Sequence, residues 1–554
     1  MDSTTKKRIF PILFTIIGIL LLIVVIKVSI IVISANQNNY TFADPQVANK
    51  VVRGAILDRN GNLLAIENTY TSCSFRVGEI DNLQDAASLA SPYLDMSVDE
   101  ILSQCEGHTY QALIKEKVKK DVIDSFSAAI KEAGYSGLIK LETFTGRDYP
   151  YTFHACQIIG FTGKDQTGLD GIEYALNDVL EPLPGLNEDI TRGTDITVTL
   201  DMDIQYLTDL ELQKIENEFK PKDSIAIVMD AQTGDILSVT NYPWYNPNDT
   251  SLSTETQRKN QSVSMLYEPG SVFKVFSLAS IMDIGEANLT EPFVCDGSYD
   301  FTNEGQSGTI NCHEPHGVVD PMTMIKKSCN GAISSWSLQT DDDAFYQKLC
   351  DFGFNEKVDL PLPGIARSRI ASPSSWSFRS KPTISFGQEL STTAMNIVRA
   401  ATVLANDGYR IEPQIILQEN EGNIIPRAGE QIAMRTVAKS EQRIISSETA
   451  TYLLQAMKGA TEEGGTAIQC AVDGINVSAK TGTAQMYNEE THSYKDSKTL
   501  ASTLAIVPTE NPKYIIYVAA RAPSENSIWG SNIAAPAVGN IIKGLISQGK
   551  LLTK

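Results

Sequence analysis

The chain has 554 residues, which is too long for one hydrophobic core and suits two or three domains. Its formal net charge of -21 excludes a broad basic face for nucleic acid, because such a face needs clustered lysine and arginine. Eight cysteines without a C-x-x-C spacing exclude a small-protein disulfide scaffold, and five histidines are too few to suggest an active site that depends on histidine.

The first predicted element is a membrane span. Three basic residues at 6–8 precede a run without a charged side chain at 9–26, and more apolar residues follow Lys27. As a helix this run would be about 27 Å long, close to the hydrocarbon thickness of a bilayer. The basic flank predicts a cytoplasmic tail at 1–8, a single transmembrane anchor at 9–34 in the cell membrane, and an extracellular remainder.

Positions 36–196 form the next predicted unit. The segment 53–65 alternates around an Asn-Gly pair, which is the strongest short signal of a β-hairpin, and 83–135 has helical periodicity. A glycine-rich stretch at 160–171 lacks the Gly-Lys-Ser/Thr of a phosphate-binding loop, so turns explain it better. Nothing in this unit suggests a catalytic role.

A second unit is predicted at 197–554, after a proline-containing loop at 181–185. Strand–strand pairs flanked by helices from both ends of this unit predict an α+β domain, in which helices cover an antiparallel sheet. The predicted elements are a helix at 201–219, a hairpin at 224–239, strands at 500–507 and 513–521, a helix at 534–548 and a mostly helical lobe at 271–399.

Three short motifs in this second unit indicate acyl transfer. Ser271 and Lys274 are three positions apart, so their side chains share one face of a helix whose N-terminal N–H groups favour an oxyanion. Ser328-Cys329-Asn330 follows in the helical-looking stretch 322–338. Lys480-Thr481-Gly482-Thr483 comes last and is the only Lys-Ser/Thr-Gly in the chain. Each of the first two motifs is weak alone, whereas the ordered set is typical of serine enzymes that react with penicillins.

With these motifs the chain resembles a class B penicillin-binding protein, a monofunctional peptidoglycan D,D-transpeptidase. Further matching segments are Arg53-Gly-Ala-Ile-Leu-Asp58-Arg59-Asn-Gly61, Asp230-Ala-Gln-Thr-Gly234-Asp-Ile236 and Phe386-Gly387-Gln388. The resemblance implies a penicillin-binding, serine β-lactamase-like transpeptidase domain at 197–554, and a non-catalytic pedestal at 36–196. It also implies that the protein cross-links D-Ala-D-Ala stem peptides of the cell wall through a serine acyl-enzyme, and that β-lactams target it.

The resemblance also implies a role for each residue of the first two motifs. Ser271 would attack the carbonyl of the penultimate D-Ala, and Lys274 would take its proton. An ordinary lysine has a pKa of about 10.4, so burial and the positive charge of Lys480 would have to lower it. Ser328 would pass the proton to the leaving D-Ala nitrogen, and Asn330 would hold the stem-peptide amide or Lys274.

The third motif would hold the substrate. The backbone N–H groups of Ser271 and Thr483 are expected to form the oxyanion hole, aimed at the charge that develops on the carbonyl. Gly482 would let the strand approach the substrate closely. Thr481, Thr483 and Lys480 would bind the terminal carboxylate of D-Ala-D-Ala. No organic cofactor is implied.

Two other functions remain open at this stage. A serine β-lactamase or β-lactam sensor would share the motifs, but a class A β-lactamase needs a glutamate for deacylation, and no Glu-x-x-Leu-Asn-like stretch lies between Asn330 and Lys480. A non-catalytic scaffold of wall synthesis would not need the intact motifs. The motifs favour none of division, elongation and sporulation, so a role in cell division or cell shape stays general.

One partner is expected because the sequence shows no sign of a glycosyltransferase domain. Bifunctional relatives carry a glycosyltransferase domain before the transpeptidase. Here the 36–196 unit is all that separates the anchor from the second unit, and it holds no convincing acid/base pair of glutamates. We therefore predict dependence on a separate membrane glycosyltransferase.

A group of cysteine and histidine residues lies between the first two motifs. Cys295, Cys312 and His316 could be metal ligands, Cys295 and Cys312 could form a disulfide, or the thiols could be unrelated core residues. Extracellular placement favours a disulfide, whereas the nearby imidazoles favour zinc. We predict one structural zinc on these three residues, with His313, Asp296 or Asp320 as the fourth ligand. The other cysteines, Cys329 among them, are interpreted as small buried hydrophobic residues.

Overall fold

The computed structural model describes residues 27, 50–181, 190–303, 305–420, 439–486 and 498–553. The predicted anchor at 9–34 lies outside them apart from Lys27, and no helix within these described ranges is long and apolar enough to cross a membrane. The chain forms two compact units, 1–51 with 183–191 and 52–182 with 192–554. In the first, the structure describes little beyond the strands Lys50–Val52 and Ile190–Arg192, which pair at its border. The second holds every residue predicted to act in the site.

The second unit begins with a six-stranded sheet built from distant parts of the chain. In spatial order its strands are Ile416–Asn420, Asp195–Val198, Ile56–Leu57, Leu63–Phe75 and Ala112–Val118, and Ile139–Asp148 also pairs with Leu63–Phe75. Only the pairing of Ile56–Leu57 with Asp195–Val198 is parallel. Because Asp195–Val198 crosses the predicted boundary between 196 and 197, this sheet joins the N-terminal residues to those that follow.

The predicted hairpin is present and turns at Asn60 and Gly61. The Asp58 carboxylate accepts hydrogen bonds of 2.8 Å from the backbone N–H groups of Asn60 and Asn62, and Gly61 has a φ of 85°. A glycine is favoured there because most side chains clash at positive φ. The same carboxylate accepts a bond of 3.2 Å from the N–H of Met202, which attaches the hairpin to the first helix of the C-terminal domain.

A buried charge cluster holds the N-terminal part together. The Nε atoms of Arg53 and Arg147 each donate to the Glu173 carboxylate at 2.7 Å, and all three side chains are almost fully buried. Each guanidinium donates to this carboxylate. Arg53 also donates to Asn177 and Glu181, whereas the two Nη atoms of Arg147 are buried without a hydrogen-bond partner among the described residues. This cluster gives Arg53, the first residue of one of the matching segments, a structural role.

The segment predicted to be helical at 83–135 is only partly so. Its helices are Leu83–Leu94, Val98–Cys105 and Ile123–Glu132, and the strand Ala112–Val118 lies between the last two. Ala112 and Ile114 are buried while Leu113 is 47% exposed, an alternation typical of a strand. Pairing with Leu63–Phe75 therefore overrides the helical periodicity here. Three short helices, Cys156–Ile159, Gly171–Ala175 and Asn177–Leu180, complete this part.

A five-stranded antiparallel sheet forms the centre of the C-terminal domain, as predicted. Its strands are β1 (Asp223–Asp230), β2 (Ile236–Tyr242), β3 (Ser478–Gln485), β4 (Thr499–Val507) and β5 (Tyr514–Arg521). The spatial order β3-β4-β5-β1-β2 makes β3 an edge strand. Along β1, Ile225 and Ile227 face one hydrophobic core and Ala226 and Val228 face another, so the sheet is covered on both sides.

Helices cover the two faces of this sheet. The five that bear on the site are α1 (Met202–Phe219), α2 (Lys274–Ile284), α3 (Pro321–Lys327), α4 (Asn330–Ser337) and α5 (Gly530–Ser547). α1 and α5 share one core with the sheet, through residues such as Leu212 and Ile541. α2, α3 and α4 belong to the lobe on the other face.

The rest of this lobe combines helices with short hairpins. Its longer helices are Asp342–Asp351, Ser380–Ser385, Ala394–Ala405 and Ser447–Gly459. The antiparallel strand pairs are Phe293–Cys295 with Gly317–Val319, Ser298–Asn303 with Gln306–Asn311, and Arg369–Ile370 with Leu390–Ser391. The lobe is therefore mostly helical, as predicted, with hairpins that the sequence patterns did not indicate.

The stretch predicted as one helix at 322–338 is divided at Ser328. α3 ends at Lys327, Ser328 has a φ of 60°, and α4 begins at Asn330 with Cys329 as its N-cap. A left-handed residue ends a right-handed helix, which is why the uninterrupted prediction is wrong here.

Candidate active site

The turn Gly270–Phe273 presents Ser271 at the start of α2. This single 3₁₀ turn leads directly into the helix, so Ser271 and Lys274 face the same way, and the Lys274 Nζ donates to the Ser271 Oγ at 2.8 Å. Gly270 has a φ of 56°, and a Cβ there would lie 2.7 Å from the Cβ of Ala484. Only glycine lets the serine turn pack this closely on β3.

Ser328 lies between two lysines. The Lys274 Nζ donates to the Ser328 carbonyl oxygen at 2.8 Å and to its Oγ at 3.1 Å, while the Lys480 Nζ donates to the same Oγ at 2.8 Å. The left-handed backbone of Ser328 turns its carbonyl and its hydroxyl toward the same amine. The structure thus joins Ser271, Lys274, Ser328 and Lys480 in one hydrogen-bonded chain, from three separate motifs.

Burial changes the protonation of both lysines. Desolvation lowers the pKa of Lys274 to about 8, and desolvation together with the charge of Lys274 holds the pKa of Lys480 well below its ordinary value. Both side chains are fully buried. With a pKa of about 8, roughly one Lys274 amine in ten is neutral at pH 7, against a few in ten thousand for an ordinary lysine. Lys274 is therefore equipped to accept the Ser271 proton.

The remaining motif residues also have hydrogen-bond partners in the candidate active site. Asn330 is at the start of α4, and its Nδ2 donates to the carbonyl oxygen of Asn311 at 2.9 Å. The Lys480 Nζ also donates to the Thr481 carbonyl at 2.8 Å. The Thr483 Oγ1 accepts a bond of 3.0 Å from the Gly530 N–H at the start of α5.

Gly482 is closely packed against other parts of the protein, whereas its predicted close approach to substrate stays a prediction. A Cβ there would lie 2.6 Å from the Ser502 Oγ and 3.0 Å from a methyl group of Val272. The strand that carries the third motif is thus pressed against the residue after Ser271. Because β3 is an edge strand, its other backbone edge is left for a peptide to pair with.

A second cluster lies beside this chain of hydrogen bonds. The ligand atoms of Cys295, Cys312, His316 and Cys329 all lie within 4.8 Å of one another. The Cys295 Sγ is 3.3 Å from the His316 Nδ1, and the Cys312 Sγ is 3.7 Å from the Cys329 Sγ. All eight cysteines are free thiols, so Cys295 and Cys312 are not joined in a disulfide.

The cluster corrects two predictions about its members. The fourth group is Cys329, which we interpreted as an isolated hydrophobic thiol. The predicted fourth ligands have other partners: His313 packs on Trp529 with ring centroids 4.7 Å apart, and Asp320 caps α3 through the Thr323 N–H, while Asp296 accepts from the Ser298 N–H. The only sequence signal for Cys329 is its position inside the Ser-x-Asn motif.

Two family models match most of the chain. The model for the penicillin binding protein transpeptidase domain matches residues 224–543, and the model for the penicillin-binding protein dimerisation domain matches residues 48–194. A probable peptidoglycan D,D-transpeptidase PenA of Neisseria meningitidis is 28% identical over 92% of this chain and 88% of its own length. Stage V sporulation protein D of Bacillus subtilis is 26% identical over 90% of this chain and 78% of its own.

A solved structure shares the fold. Penicillin binding protein 3 of Mycobacterium tuberculosis, in complex with aztreonam, superimposes with a TM-score of 0.70 at 23% identity, covering 91% of this chain and 98% of that chain.

Proposed function

This chain belongs to the penicillin-binding protein transpeptidase family, and from that premise we propose that Ser271 is its nucleophile and Lys274 its general base. The protein is a class B penicillin-binding protein, a serine-type D,D-transpeptidase that cross-links cell-wall peptidoglycan and is a target of β-lactams. The observation that supports the two roles is the bond of 2.8 Å between the Lys274 Nζ and the Ser271 Oγ, together with the lowered pKa of Lys274.

The proposed acylation follows the hydrogen-bonded chain. The Ser271 Oγ attacks the carbonyl carbon of the penultimate D-Ala as Lys274 takes the hydroxyl proton. The backbone N–H groups of Ser271 and Thr483 bind the oxyanion that develops. The proton then passes from Lys274 through the Ser328 hydroxyl to the leaving D-Ala nitrogen, and the C–N bond breaks. An amine of the acceptor peptide attacks the resulting ester and returns Ser271 to its hydroxyl form.

The other motif residues are proposed to position the donor. Lys480, Thr481 and the Thr483 hydroxyl bind its terminal carboxylate, and Gly482 keeps β3 close to it. Asn330 is proposed to hold the stem-peptide amide, in exchange for its bond of 2.9 Å to the Asn311 carbonyl. The Lys480–Ser328 bond of 2.8 Å supports the role of Lys480, because it puts that side chain next to the proposed reacting centre.

Penicillin labelling tests this function against the two alternatives. We expect a fluorescent penicillin to label the purified protein at one site, on the peptide that contains Ser271, and to leave it slowly. Sustained β-lactam hydrolysis would indicate a β-lactamase instead. Complete failure to label a folded protein would indicate a non-catalytic scaffold.

We also propose the membrane arrangement and domain limits that the sequence predicts. Residues 9–34 form a single membrane anchor, with 1–8 in the cytoplasm and the pedestal (36–196) and transpeptidase domain (197–554) outside the cell. The family matches at 48–194 and 224–543 fall within those two domains.

A separate membrane glycosyltransferase is the proposed partner. Of the glutamates in the pedestal, Glu173 is fully buried between two arginines, so it has no access to a sugar chain. We therefore expect the purified chain to make no glycan polymer from lipid II, and to cross-link strands only when a glycosyltransferase supplies them. Polymer made by this chain alone, in a preparation free of other membrane enzymes, would contradict the proposal.

Finally, we propose that the four-residue cluster binds one structural zinc ion. Four ligands at Zn–S distances of about 2.3 Å in a tetrahedron put neighbouring sulfurs about 3.8 Å apart. The Cys312–Cys329 separation of 3.7 Å fits that value, whereas a disulfide needs about 2.05 Å. Three thiols and one imidazole are a common ligand set for a closed structural site. Zinc there would fix the loop at 312–316 to the start of α4 and would leave the acyl transfer to the serines and lysines.

A further inference from the structure

A cavity of about 930 Å³ lies next to the active site. Its walls come from three places: the residues just before Ser271, the hairpin of Arg369–Ile370 with Leu390–Ser391, and the sheet end at Gln485 and Arg521. None of the assigned roles uses this cavity, although it is large enough to hold several residues of a peptide.

The cavity continues the catalytic cleft beyond the third motif. Gln485 is two residues after Thr483, which is about 7 Å along β3. Glu268 is three residues before Ser271, and its Oε1 accepts a bond of 2.8 Å from the Glu389 N–H across the cavity wall. The serine turn is also tied to this wall, because the Gly270 N–H donates to the Gly387 carbonyl at 3.0 Å.

The direction of β3 decides which part of a substrate reaches the cavity. Under the proposed function, the terminal carboxylate of the donor lies at Lys480 and Thr481, and the scissile carbonyl at Thr483. A peptide paired with the free edge of β3 therefore extends past Gln485 with the residues that precede the scissile bond. The inference below rests on that proposed function.

Two arginines give the cavity its charge. Arg367 and Arg369 are both exposed cavity-lining residues, and alternation along the chain puts them on one side while Ser368 between them is buried. Within the described part of the chain, neither guanidinium has a hydrogen bond or ion pair to a carboxylate. They differ in this from Arg521, which pairs with Asp223 at the same end of the sheet.

Among the residues that the structure describes, the acidic side chains lining the cavity form no ion pair with these arginines. The Glu389 carboxylate accepts bonds of 2.6 Å from the hydroxyls of Ser380 and Thr383. The Glu268 Oε1 is taken by the Glu389 N–H. The cavity therefore offers two adjacent cations whose planar groups suit a carboxylate, in a protein whose net charge is -21.

We propose that Arg367 and Arg369 bind a side-chain carboxylate on the stem-peptide residue that precedes D-Ala-D-Ala. The donor would then be a peptide with an acidic diamino acid at that position, such as diaminopimelate, rather than one with lysine. The arginines act as specificity residues, because they touch the donor away from the bond that breaks.

Two matched thioester donors test the proposal on the full-length protein in detergent. Each carries the stem peptide through its penultimate D-Ala and a thiolactate in place of the terminal D-Ala, and they differ only in diaminopimelate or lysine before that D-Ala. Acylation is followed by thiol release and intact mass. The wild type should prefer the diaminopimelate donor, and the variant R367Q/R369Q should lose about tenfold to a hundredfold of its acylation rate on that donor alone.

Controls separate this proposal from the function on which it rests. Arg443→Gln changes an exposed arginine outside the cavity and should leave both donors unaffected. The acylamino group that precedes the acyl centre of penicillin carries no carboxylate, so penicillin labelling of R367Q/R369Q should match the wild type. Equal rates for both donors in the wild type, or equal losses on both in the variant, would overturn the arginine proposal. Failure of penicillin to label Ser271 in the wild type would instead overturn the proposed function.

Discussion

Replacing Ser271 by alanine is expected to abolish covalent penicillin labelling while leaving the melting temperature nearly unchanged. The side chain is half-buried at a cleft, and its loss removes one hydroxyl without opening a core cavity. Labelling on a gel, with intact mass as a second readout, measures the change. Ser374→Ala is a matched control, because Ser374 is an exposed serine of the same lobe whose hydroxyl shares a hydrogen bond with that of Ser372. A Ser271→Ala protein that still gained the mass of penicillin on the same peptide would show that another residue is the nucleophile.

Lys274→Ala should lower the acylation rate by about a hundredfold to ten-thousandfold, the range that a lost general base usually causes. The pH dependence gives an independent check. Because the pKa of Lys274 is lowered to about 8, the neutral base is absent well below that pH and complete well above it. The wild-type acylation rate should therefore rise with pH and level off above about pH 8, instead of rising until the ordinary lysine range near 10.5. A flat profile between pH 6 and 9 would argue against Lys274 as the base.

Removal of the proposed zinc should cause the largest loss of stability. A closed zinc site contributes on the order of 10 kcal/mol to folding, against about 3 kcal/mol for a disulfide that closes a loop of this size. Protein purified without added metal is expected to contain one zinc per chain by elemental analysis. Strong chelation should then lower the melting temperature by about 10 °C, since in a domain of this size each kcal/mol shifts the transition by roughly 1–2 °C.

Cysteine variants test the position of the proposed zinc. Cys329→Ser should lose the zinc and most of the associated stability, because the serine hydroxyl is a poor zinc ligand. Cys350→Ser is the matched control, since Cys350 is a half-buried thiol of the same lobe outside the cluster. Zinc-free protein with Cys295 and Cys312 joined by a disulfide would contradict the metal proposal and leave the catalytic roles as they are.

The candidate active-site residues could be predicted because they occur in short motifs with characteristic residue types and spacing. Ser271 and Lys274 meet through one helical turn, so local geometry alone brings them together. The sheet was also predictable, because β1 and β2 form a local hairpin, and β4 and β5 are short runs of mostly apolar residues. The meeting of Ser328 with Lys480 needed the resemblance, since no local rule joins residues so far apart in the chain.

What the sequence missed depends on tertiary contacts. Cys329 joins the cysteine–histidine cluster because the strands Phe293–Cys295 and Gly317–Val319 pair, which brings Cys295 and His316 to the start of α4. The strand Ala112–Val118 forms because a long neighbouring strand is there to pair with it. The cavity with Arg367 and Arg369 likewise exists only where three distant segments meet.

The left-handed backbone of Ser328 also has an evolutionary consequence. At a φ of 60°, serine destabilises the fold by about 1 kcal/mol relative to glycine, because its Cβ crowds the backbone. Selection for folding alone would therefore favour glycine at position 328. We expect serine to persist only while its hydroxyl, held between Lys274 and Lys480, is needed for the proposed proton transfer. In a descendant gene that no longer serves wall cross-linking, codon 328 should therefore change earlier than the codons of the surrounding core. A serine that is still present at this position would indicate that the lineage still uses the reaction.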